Sequence, residues 1–269
     1  MIIATHGILA SAGGIVYDAD AQAFFDRVTT AGGSLSTTEK TAVNTLVIDL
    51  KGYSIWTKMT TIYPMVGASA AACKQNLKSS SFTGTFSSGW TYSSGGVTGN
   101  GTSAYLDSNL LHNSLSQNST HISYYSRTNA YTNSQDIGVG NDSTSFLIME
   151  INRDVAGGIQ STIVNSNSRT GATSQGNKGS LGFYIGSRTA SNSQKFYKNG
   201  TSIQTSTANS TSLLNQNIYI NAYNGPIGAK EFSDKQCAFA SIGDGLNDTE
   251  SGNLYTAVQA FQTTLARQV

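Results

Sequence analysis

The sequence predicts a mainly β protein: a two-sheet β-sandwich with a small N-terminal helical region and a C-terminal helix. From about residue 82 onward, apolar residues alternate with polar ones, and polar or glycine-containing turns recur at short intervals. Apolar residues make up 38% of the chain and include 13 tyrosines, which is enough bulk for a core. Near the end, an apolar strand runs into the turn Gly243-Asp244-Gly245, and a helix with an acidic first turn follows.

The composition narrows the class of protein. Charged residues make up only 12% of the chain and the net charge is +1, so bulk electrostatics do not indicate a nucleic-acid partner. No apolar run is long enough to span a membrane. The first residues lack the basic region and long apolar run of a signal peptide, so we expect synthesis in a cytoplasm. Cys73 and Cys237 do not make a disulfide framework, and the sequence leaves open whether they form a single bridge.

Residues 1–17 are predicted to form a docking arm. This segment is rich in large aliphatic residues and carries no lysine or arginine, so its exposure to water would be unfavourable. It either docks on another polypeptide or forms an edge strand of its own domain. The residues expected to make the docking contacts are Ile2, Ile3, Ile8, Leu9, Ile15 and Val16.

Residues 18–66 are predicted to form a helical region. Asp18 can cap a first helix, and Ser36 with Glu39 has the spacing of a capping box at the start of a second. A third short helix is expected to carry Trp56 and Met59 and to end before Pro64. The remainder, 67–269, is assigned to the sandwich and its final helix.

The sandwich is predicted to contain eleven strands. Asn199-Gly200 is expected to form a tight hairpin, because both residue types tolerate a positive φ. The last helix is expected over about 248–266, with one apolar face that includes Leu254, Val258 and Phe261. The predicted strands are 82–90, 104–107, 121–127, 136–139, 145–151, 158–164, 182–188, 194–198, 202–205, 217–223 and 236–242.

Two motifs resemble known jelly rolls. The hairpin Phe196-Tyr-Lys-Asn-Gly200 and the strand, turn and helix of 237–255 are similar to those of laminin-G-like and concanavalin A-like domains. The resemblance implies a concanavalin A-like jelly roll that binds surfaces or sugars more often than it catalyses.

A narrower resemblance covers most of the chain. It is similar to a module of virion proteins from phages of Bacteroidetes-type hosts, which implies a spike, fibre or capsid-decorating protein on a head or tail. The same resemblance implies sister copies, most simply a trimer, and attachment to a capsid or tail protein on the virion surface. The segments that carry it are 18–24, 47–51, 56–59, 62–67, 76–78, 99–102, 104–105, 123–128, 187–190 and 267–269.

Catalytic patterns are poorly represented. Glu150-Ile-Asn-Arg-Asp154 is the nearest run to the paired carboxylates of concanavalin A-like glycanases, but Asn152 stands where an aspartate would be needed. A glycan-active hydrolase that uses Glu150 and Asp154 is therefore the alternative function. His6, His112 and His121 are scattered and lie near no nucleophile elbow, so neither a serine triad nor a histidine metal site is expected.

Binding is the better-supported expectation. Sugar sites need aromatic faces and uncharged hydrogen-bonding groups, and both are common near the predicted strand ends. Oxygens of Asp244, Asn247 and Asp248 could hold calcium, although a turn followed by a helix cap explains them more simply. We therefore expect a non-enzymatic protein with no obligatory cofactor that binds a host surface glycan, or a purely structural capsid-cementing protein. The candidate sugar-binding residues are Trp90, Tyr92, Tyr105, Tyr131, Tyr223 and Asn224.

Overall fold

The computed structural model describes residues 15–154, 158–172 and 179–269 as a β-sandwich with a layer of helices on one side. The helices are α1 (Ala19–Thr30), α2 (Thr37–Gly52), α3 (Ala70–Cys73) and α4 (Asp248–Thr264), with single 3-10 turns at Trp56–Lys58 and His112–Ser114. The strands are β1 (Met59–Tyr63), β2 (Thr85–Phe86), β3 (Trp90–Ser93), β4 (Gly96–Gly99), β5 (Leu106–Leu111), β6 (Thr120–Ser126), β7 (Ile137–Gly140), β8 (Phe146–Arg153), β9 (Ile159–Ser166), β10 (Thr170–Ala172), β11 (Gly182–Ala190), β12 (Ser193–Lys198), β13 (Thr201–Ser206), β14 (Asn217–Ile220), β15 (Tyr223–Gly225), β16 (Gly228–Lys230) and β17 (Gln236–Gly243).

The strands form two sheets, which confirms the predicted fold class. Over the described ranges, the helix-side sheet has the order β13-β12-β11-β6-β17-β4-β3, with β1 added beside β17. The outer sheet has the order β10-β9-β8-β7-β14-β5-β2, and the short hairpin β15–β16 joins it through β7. Inward-facing side chains of both sheets make one apolar core, which includes Ile122 and Tyr184 from one sheet and Ile137 and Met149 from the other.

The helices cover the second face of the helix-side sheet. Phe24 and Val28 of α1 and Leu46 of α2 pack in one cluster with Phe239 of β17 and Phe261 of α4. These helices are amphipathic and short, so their stability depends on this contact. The helices thus cover one side of the sandwich, and the outer sheet forms the opposite side.

The local helix signals were correct. Ser36 Oγ accepts from the backbone N–H of Glu39, and the Glu39 carboxylate accepts from the backbone N–H of Ser36, as a capping box requires. Asp18 caps α1 by accepting from the backbone N–H of Asp20. A second capping box, formed by Asn247 and Glu250, begins α4. These confirm the predicted starts of three helices.

The predicted third helix was wrong. Only Trp56–Lys58 makes a 3-10 turn, and Met59–Tyr63 is strand β1, which pairs antiparallel with β17. The apolar residues Trp56, Met59 and Tyr63 have the i, i+3, i+7 spacing of one helix face, so their pattern alone predicted a helix. The available edge of β17 decided it, because pairing satisfies the backbone groups of Met59–Tyr63.

Two further differences concern the start of the sandwich. The strand predicted over 82–90 is interrupted: Phe82 has φ +57° and only Thr85–Phe86 pairs before β3 begins at Trp90. Strand β4, Gly96–Gly99, was not predicted, because two glycines hide its alternation.

Cys73 and Cys237 are both buried free thiols in the described structure, so they do not pair.

The predicted hairpin at Asn199-Gly200 is confirmed. Both residues have a positive φ, +49° and +75°, and they connect β12 to β13.

No helix within the described ranges is both long and apolar enough to cross a bilayer.

Candidate functional site

A pocket opens on the face of the outer sheet that points away from the helix-side sheet, here called the far face. Its volume is about 200 Å³. It combines a small apolar floor with several ionisable side chains. The residues lining this far-face pocket are Gln135, Asp142, Phe146, Ile148, Arg153, Ile163, Asn167, Arg169, Tyr223 and Glu231.

Strand alternation positions the floor of the pocket. On β8, Leu147 and Met149 point into the core between the sheets, so Phe146 and Ile148 point to the far face. Ile163 of β9 lies beside Ile148, since the two residues are paired across the strands. Phe146, Ile148 and Ile163 thus form an apolar surface to which polar residues of neighbouring segments are added.

A β-bulge brings Arg153 to the same face. The register between β8 and β9 shifts between Glu150 and Arg153, and Asn152 within the shift has φ +58°. The extra residue breaks the alternation, so Arg153 and Glu150, three residues apart, share the far face. The shift also breaks the simple alternation by which Glu150 and Asp154, four residues apart on a strand, would share a face. Asp154 is exposed at the end of the strand.

Glu150 is a buried carboxylate with several bound donors. Its Oε1 accepts from Arg153 Nη1 (2.5 Å) and Arg169 Nη2 (3.0 Å), and its Oε2 accepts from Arg169 Nε (2.8 Å) and Ser161 Oγ (2.6 Å). Burial by itself would raise the pKa of Glu150, but the hydrogen bonds and charges of Arg169, Ser161 and Arg153 outweigh it. They hold the pKa below its ordinary value. Glu150 is therefore ionised at neutral pH and anchors two arginines.

Glu231 extends this network to the opposite wall. Its carboxylate pairs with Arg153 Nη2 at 2.7 Å and accepts from Gln135 Nε2 at 2.7 Å. Glu231 also has φ +54°, an uncommon backbone conformation for a residue other than glycine. The Arg153 guanidinium thus bridges Glu150 and Glu231, and the charges of this wall are balanced.

Gln135 has an acceptor without a partner. The side chain is buried (4% exposed), and no described residue donates a hydrogen bond to its Oε1. The orientation of the amide is set by the neighbouring Glu231 carboxylate, which needs the Nε2 donor and would repel Oε1. A buried acceptor without a donor costs about 1–3 kcal/mol. The atom faces Gly138, where a Cβ would lie 2.8 Å from it, and it is closed off from solvent.

Tyr223 closes the pocket on a third side. It was predicted as an exposed sugar contact but is only 2% exposed, and its ring lies over Gly138 of β7, where a Cβ would come within 3.0 Å of Tyr223 Cδ2. Its hydroxyl donates to Asp142 Oδ1 at 2.7 Å, and Lys230 Nζ pairs with Asp142 Oδ2 at 2.6 Å. Burial raises the pKa of Tyr223, and the hydrogen bond with Asp142 adds to this. The ring therefore acts as a fixed, neutral wall.

A separate group of rings lies further along the far face. Tyr105 and Tyr219 are stacked, with ring centroids 4.4 Å apart and an interplanar angle of 20°, and the centroid of Phe232 is 6.5 Å from that of Tyr105. All three side chains are partly exposed. Leu106, Ile218 and Ile220 of the same strands point into the core, which places Tyr105 and Tyr219 on the far face. We call these three rings the aromatic platform.

The other predicted sugar contacts lie elsewhere. Trp90 and Tyr92 pack edge-on against Phe86 and are partly buried against the sandwich core. Tyr131 lies beside Asp154. Asn224 is 8% exposed and its Nδ2 donates to the carbonyl of Asn217. The six predicted residues are thus not gathered in one place; only Tyr223 lines the far-face pocket.

The calcium candidates have other contacts. Asn247 caps α4, and Asp248 accepts from Lys195 Nζ at 2.8 Å and from Tyr197 Oη at 2.7 Å. Asp244 accepts a hydrogen bond at its carbonyl from His121 Nδ1. In the parts of the chain that the structure describes, no three histidine, cysteine, aspartate or glutamate residues are grouped as a metal site. The helix-cap interpretation of Asn247 is confirmed.

Most of the predicted docking residues of the arm lie outside the described residues. These are Ile2, Ile3, Ile8 and Leu9; His6 lies outside them as well. Ile15 and Val16 are described and are 64% and 92% exposed.

A larger depression of about 570 Å³ lies beside the N-terminus of α2. Glu39 is its charged lining residue, and its carboxylate already accepts from the backbone N–H groups of Ser36 and Gly67. This depression presents no partnerless buried group, among the residues described around it, that would indicate a ligand. The far-face pocket, which joins an apolar floor to a group of charged side chains, is the candidate site.

Comparisons with known proteins support the fold. No protein-family model matches the chain, and neither does any curated protein. Domain 4 of AbnA, a GH43 extracellular arabinanase from Geobacillus stearothermophilus solved with arabinotriose, is similar at 13% identity and a TM-score of 0.53. The match covers 73% of this chain and 98% of that domain. At this identity the likeness shows the β-sandwich fold alone.

Two toxin domains are more distantly similar. They are the binding domain of Paraclostridial Mosquitocidal Protein 1 (13% identity, TM-score 0.43) and the binding domain of botulinum neurotoxin serotype D (14%, 0.42). The matches cover 74% and 76% of this chain, and the chain spans about half of each toxin domain, 52% in both cases.

Of the residues that line the pocket, the sequence analysis proposed only Tyr223 as a site residue; those it missed include Arg153, Arg169 and Gln135. Arg153 could have been found from Asn152, because asparagine tolerates a positive φ and can mark a bulge. Arg169 and Gln135 come from segments distant in sequence, and no local pattern connects them with Glu150.

Proposed function

We propose that this chain is a non-catalytic carbohydrate-binding module whose site is the far-face pocket. The observation that carries the proposal is that one pocket joins an apolar floor to fixed carboxylate and guanidinium groups. A sugar ring presents C–H groups that pack on apolar side chains and hydroxyls that donate to fixed acceptors. Phe146 and Ile148 supply the first kind of contact, and the carboxylates of Asp142 and Glu231 supply the second.

The charges around the pocket favour an uncharged ligand. Arg153 and Arg169 are balanced by Glu150 and Glu231, and Lys230 is balanced by Asp142. An anionic or cationic ligand would have to break one of these pairs, whereas hydroxyl groups can add to them. The pocket is smaller than typical drug-sized sites, so it suits a single sugar residue.

The state of Glu150 supports a binding role over hydrolysis. A general acid needs a raised pKa, and that of Glu150 is lowered by its bound arginines. All of its hydrogen bonds hold the pocket wall together, and the exposed Asp154 stands apart at the strand end. Glu150 is suited to position Arg153 and Arg169 rather than to react.

The biological setting that we propose is the surface of a phage particle. The resemblance of the sequence to virion modules supports a spike, fibre or capsid-decorating protein that is made in the host cytoplasm and assembled with sister copies. A trimer attached through residues 1–17 and binding a host surface glycan would use the pocket in this setting. Mass spectrometry of purified particles tests it: absence of the protein from particles, with abundance in infected-cell lysate, contradicts the virion role.

A glycan array with the purified chain tests the binding role. We expect uncharged glycans to bind, and the variant Phe146→Ala to weaken binding by about 2- to 12-fold, the value of one aromatic contact. Tyr53→Ala, an exposed aromatic after α2, is the matched control and should bind normally. An array without hits would refute the proposal and favour a capsid-cementing role. Release of sugar products that Glu150→Gln abolishes would show an enzyme instead.

A further inference from the structure

We propose that the aromatic platform is a second subsite for the same ligand, so that the far face binds an oligosaccharide across its strands rather than a single sugar. The inference rests on the proposed function, because it assigns a sugar to the far-face pocket. It adds a separate site and predicts how affinity depends on the length of the ligand.

The two sites lie in one row of the sheet. Gly138 of β7 is paired with Ile148 on one side and with Tyr219 on the other. Ile148 forms the floor of the pocket and Tyr219 is half of the stacked pair in the platform. Two strand spacings separate these positions, which is about 10 Å. Both side chains point to the far face, and the Tyr223 ring lies over Gly138 between them, so one extended molecule that crosses this ring can reach both.

The platform has the features of a sugar-stacking surface. The Tyr105 and Tyr219 rings are nearly parallel and hold each other in place, and they remain partly exposed. Polar side chains lie beside them: Asn217 Nδ2 donates to Asp107 Oδ2 at 3.1 Å, and both residues are only partly buried. Fixed rings flanked by amide and carboxylate groups match a ligand with apolar faces and hydroxyl edges.

The backbone after β16 links the two sites. Glu231 contributes to the pocket through Arg153, and the next residue, Phe232, contributes to the platform through Tyr105. The positive φ of Glu231 accompanies this division of neighbouring side chains. Such a conformation is unfavourable for a residue other than glycine, and strain of this kind concentrates at functional sites. Neighbouring residues of one segment thus contribute to both subsites.

The test is the dependence of affinity on ligand length. Isothermal titration with glucose, cellobiose and cellotriose, and with arabinose, arabinobiose and arabinotriose, is carried out on the wild type and four variants. We expect the trisaccharide of the binding series to bind more tightly than its monosaccharide. Tyr219→Ala should lower the affinity for the trisaccharide by about 2- to 12-fold and leave the affinity for the monosaccharide unchanged. Tyr219→Phe, which keeps the ring, should restore it, and Tyr53→Ala should match the wild type.

The outcomes separate this inference from the proposed function. Equal affinity for monosaccharide and trisaccharide, or no effect of Tyr219→Ala, overturns the second subsite and leaves the pocket standing. Binding by neither series overturns both for these sugars. A change of sedimentation coefficient in Tyr219→Ala, without a change in sugar affinity, shows that the platform is a protein interface and also overturns the inference. Tyr219→Leu, which retains apolar bulk, checks that a loss in the alanine variant is not caused by unfolding.

Discussion

Replacement of Glu150 by glutamine should destabilise the protein measurably at neutral pH. The side chain is fully buried, and the substitution keeps its shape while removing the charge that Arg153 and Arg169 neutralise. The new amide also places an N–H donor against guanidinium donors. Removing one partner of a buried ion pair costs about 3–5 kcal/mol.

The expected cost for Glu150→Gln lies at or below the lower end of that range. Arg153 retains Glu231 as a partner, and the Arg169 side chain is 41% exposed, so water can take over part of its solvation. We expect a loss of about 2–3 kcal/mol in the free energy of unfolding. For a domain of this size, the melting temperature should fall by roughly 5–10 °C.

The pH dependence provides the decisive check. The pKa of Glu150 is lowered from 4.5 on folding, so its stabilisation is fully present above pH 4.5 and is lost as the pH falls through the folded-state pKa. Urea unfolding of wild type and Glu150→Gln should therefore differ most at neutral pH and converge below pH 4.5. The control Asp26→Asn, at an exposed site, should stay within about 0.5 kcal/mol of wild type. A difference that persists unchanged to pH 3, or its absence at pH 7, would refute the reasoning.

Three further predictions concern other parts of the fold. Burial lowers the pKa of His121 from 6.5 to about 4. As the pH is lowered from 6.5 to 4, the free energy of unfolding should therefore fall by on the order of 3 kcal/mol. An NMR titration midpoint near 6.5 for His121 would contradict this. Gly200→Ala should lower the free energy of unfolding, measured by chemical denaturation, by about 1–3 kcal/mol, because φ is +75° and the new Cβ would lie 2.8 Å from Tyr255 Cδ1. The control Gly52→Ala has open space around the new Cβ and should cause no loss of stability. Arg267→Ala should lower the free energy of unfolding by about 3–5 kcal/mol in the same assay, since the guanidinium donates to the carbonyls of Pro64, Met65 and Ala238. A variant as stable as the wild type would show that these hydrogen bonds contribute little.

Local sequence signals predicted the parts of the fold that local interactions determine. Ser36 and Glu39 cap α2 through contacts within one helical turn, and Asn199-Gly200 sets the hairpin through its own φ angles. Strand β1 could not be predicted in this way. Its apolar residues follow a helical spacing, and its extended state depends on pairing with β17, almost two hundred positions away in the sequence.

The site was less predictable than the fold for the same reason. Exposed aromatics near strand ends were a reasonable expectation, but Tyr223 is buried as a wall, and Trp90 packs against Phe86. What defines the pocket is the meeting of Glu150 on β8, Arg169 before β10 and Glu231 after β16. No periodicity connects these three segments, and the bulge that brings in Arg153 appears in the sequence only as an asparagine.

The scarcity of charge in this protein makes their grouping informative. Charged residues are 12% of the chain, yet around a pocket of about 200 Å³ four ionisable side chains make a connected set of ion pairs and two more make a separate pair. Exposed pairs contribute little to stability, so Lys230 with Asp142 does not account for the arrangement on energetic grounds. Buried pairs are costly to desolvate and often give no net gain over apolar packing. A neutral wall of fixed donors and acceptors is the property that the set does supply, and it is the property that recognition of hydroxyl groups requires. If the set were structural alone, joint replacement of Glu150 and Arg169 by Leu should leave glycan binding intact while retaining the fold; we expect binding to be lost and the circular dichroism spectrum to be unchanged.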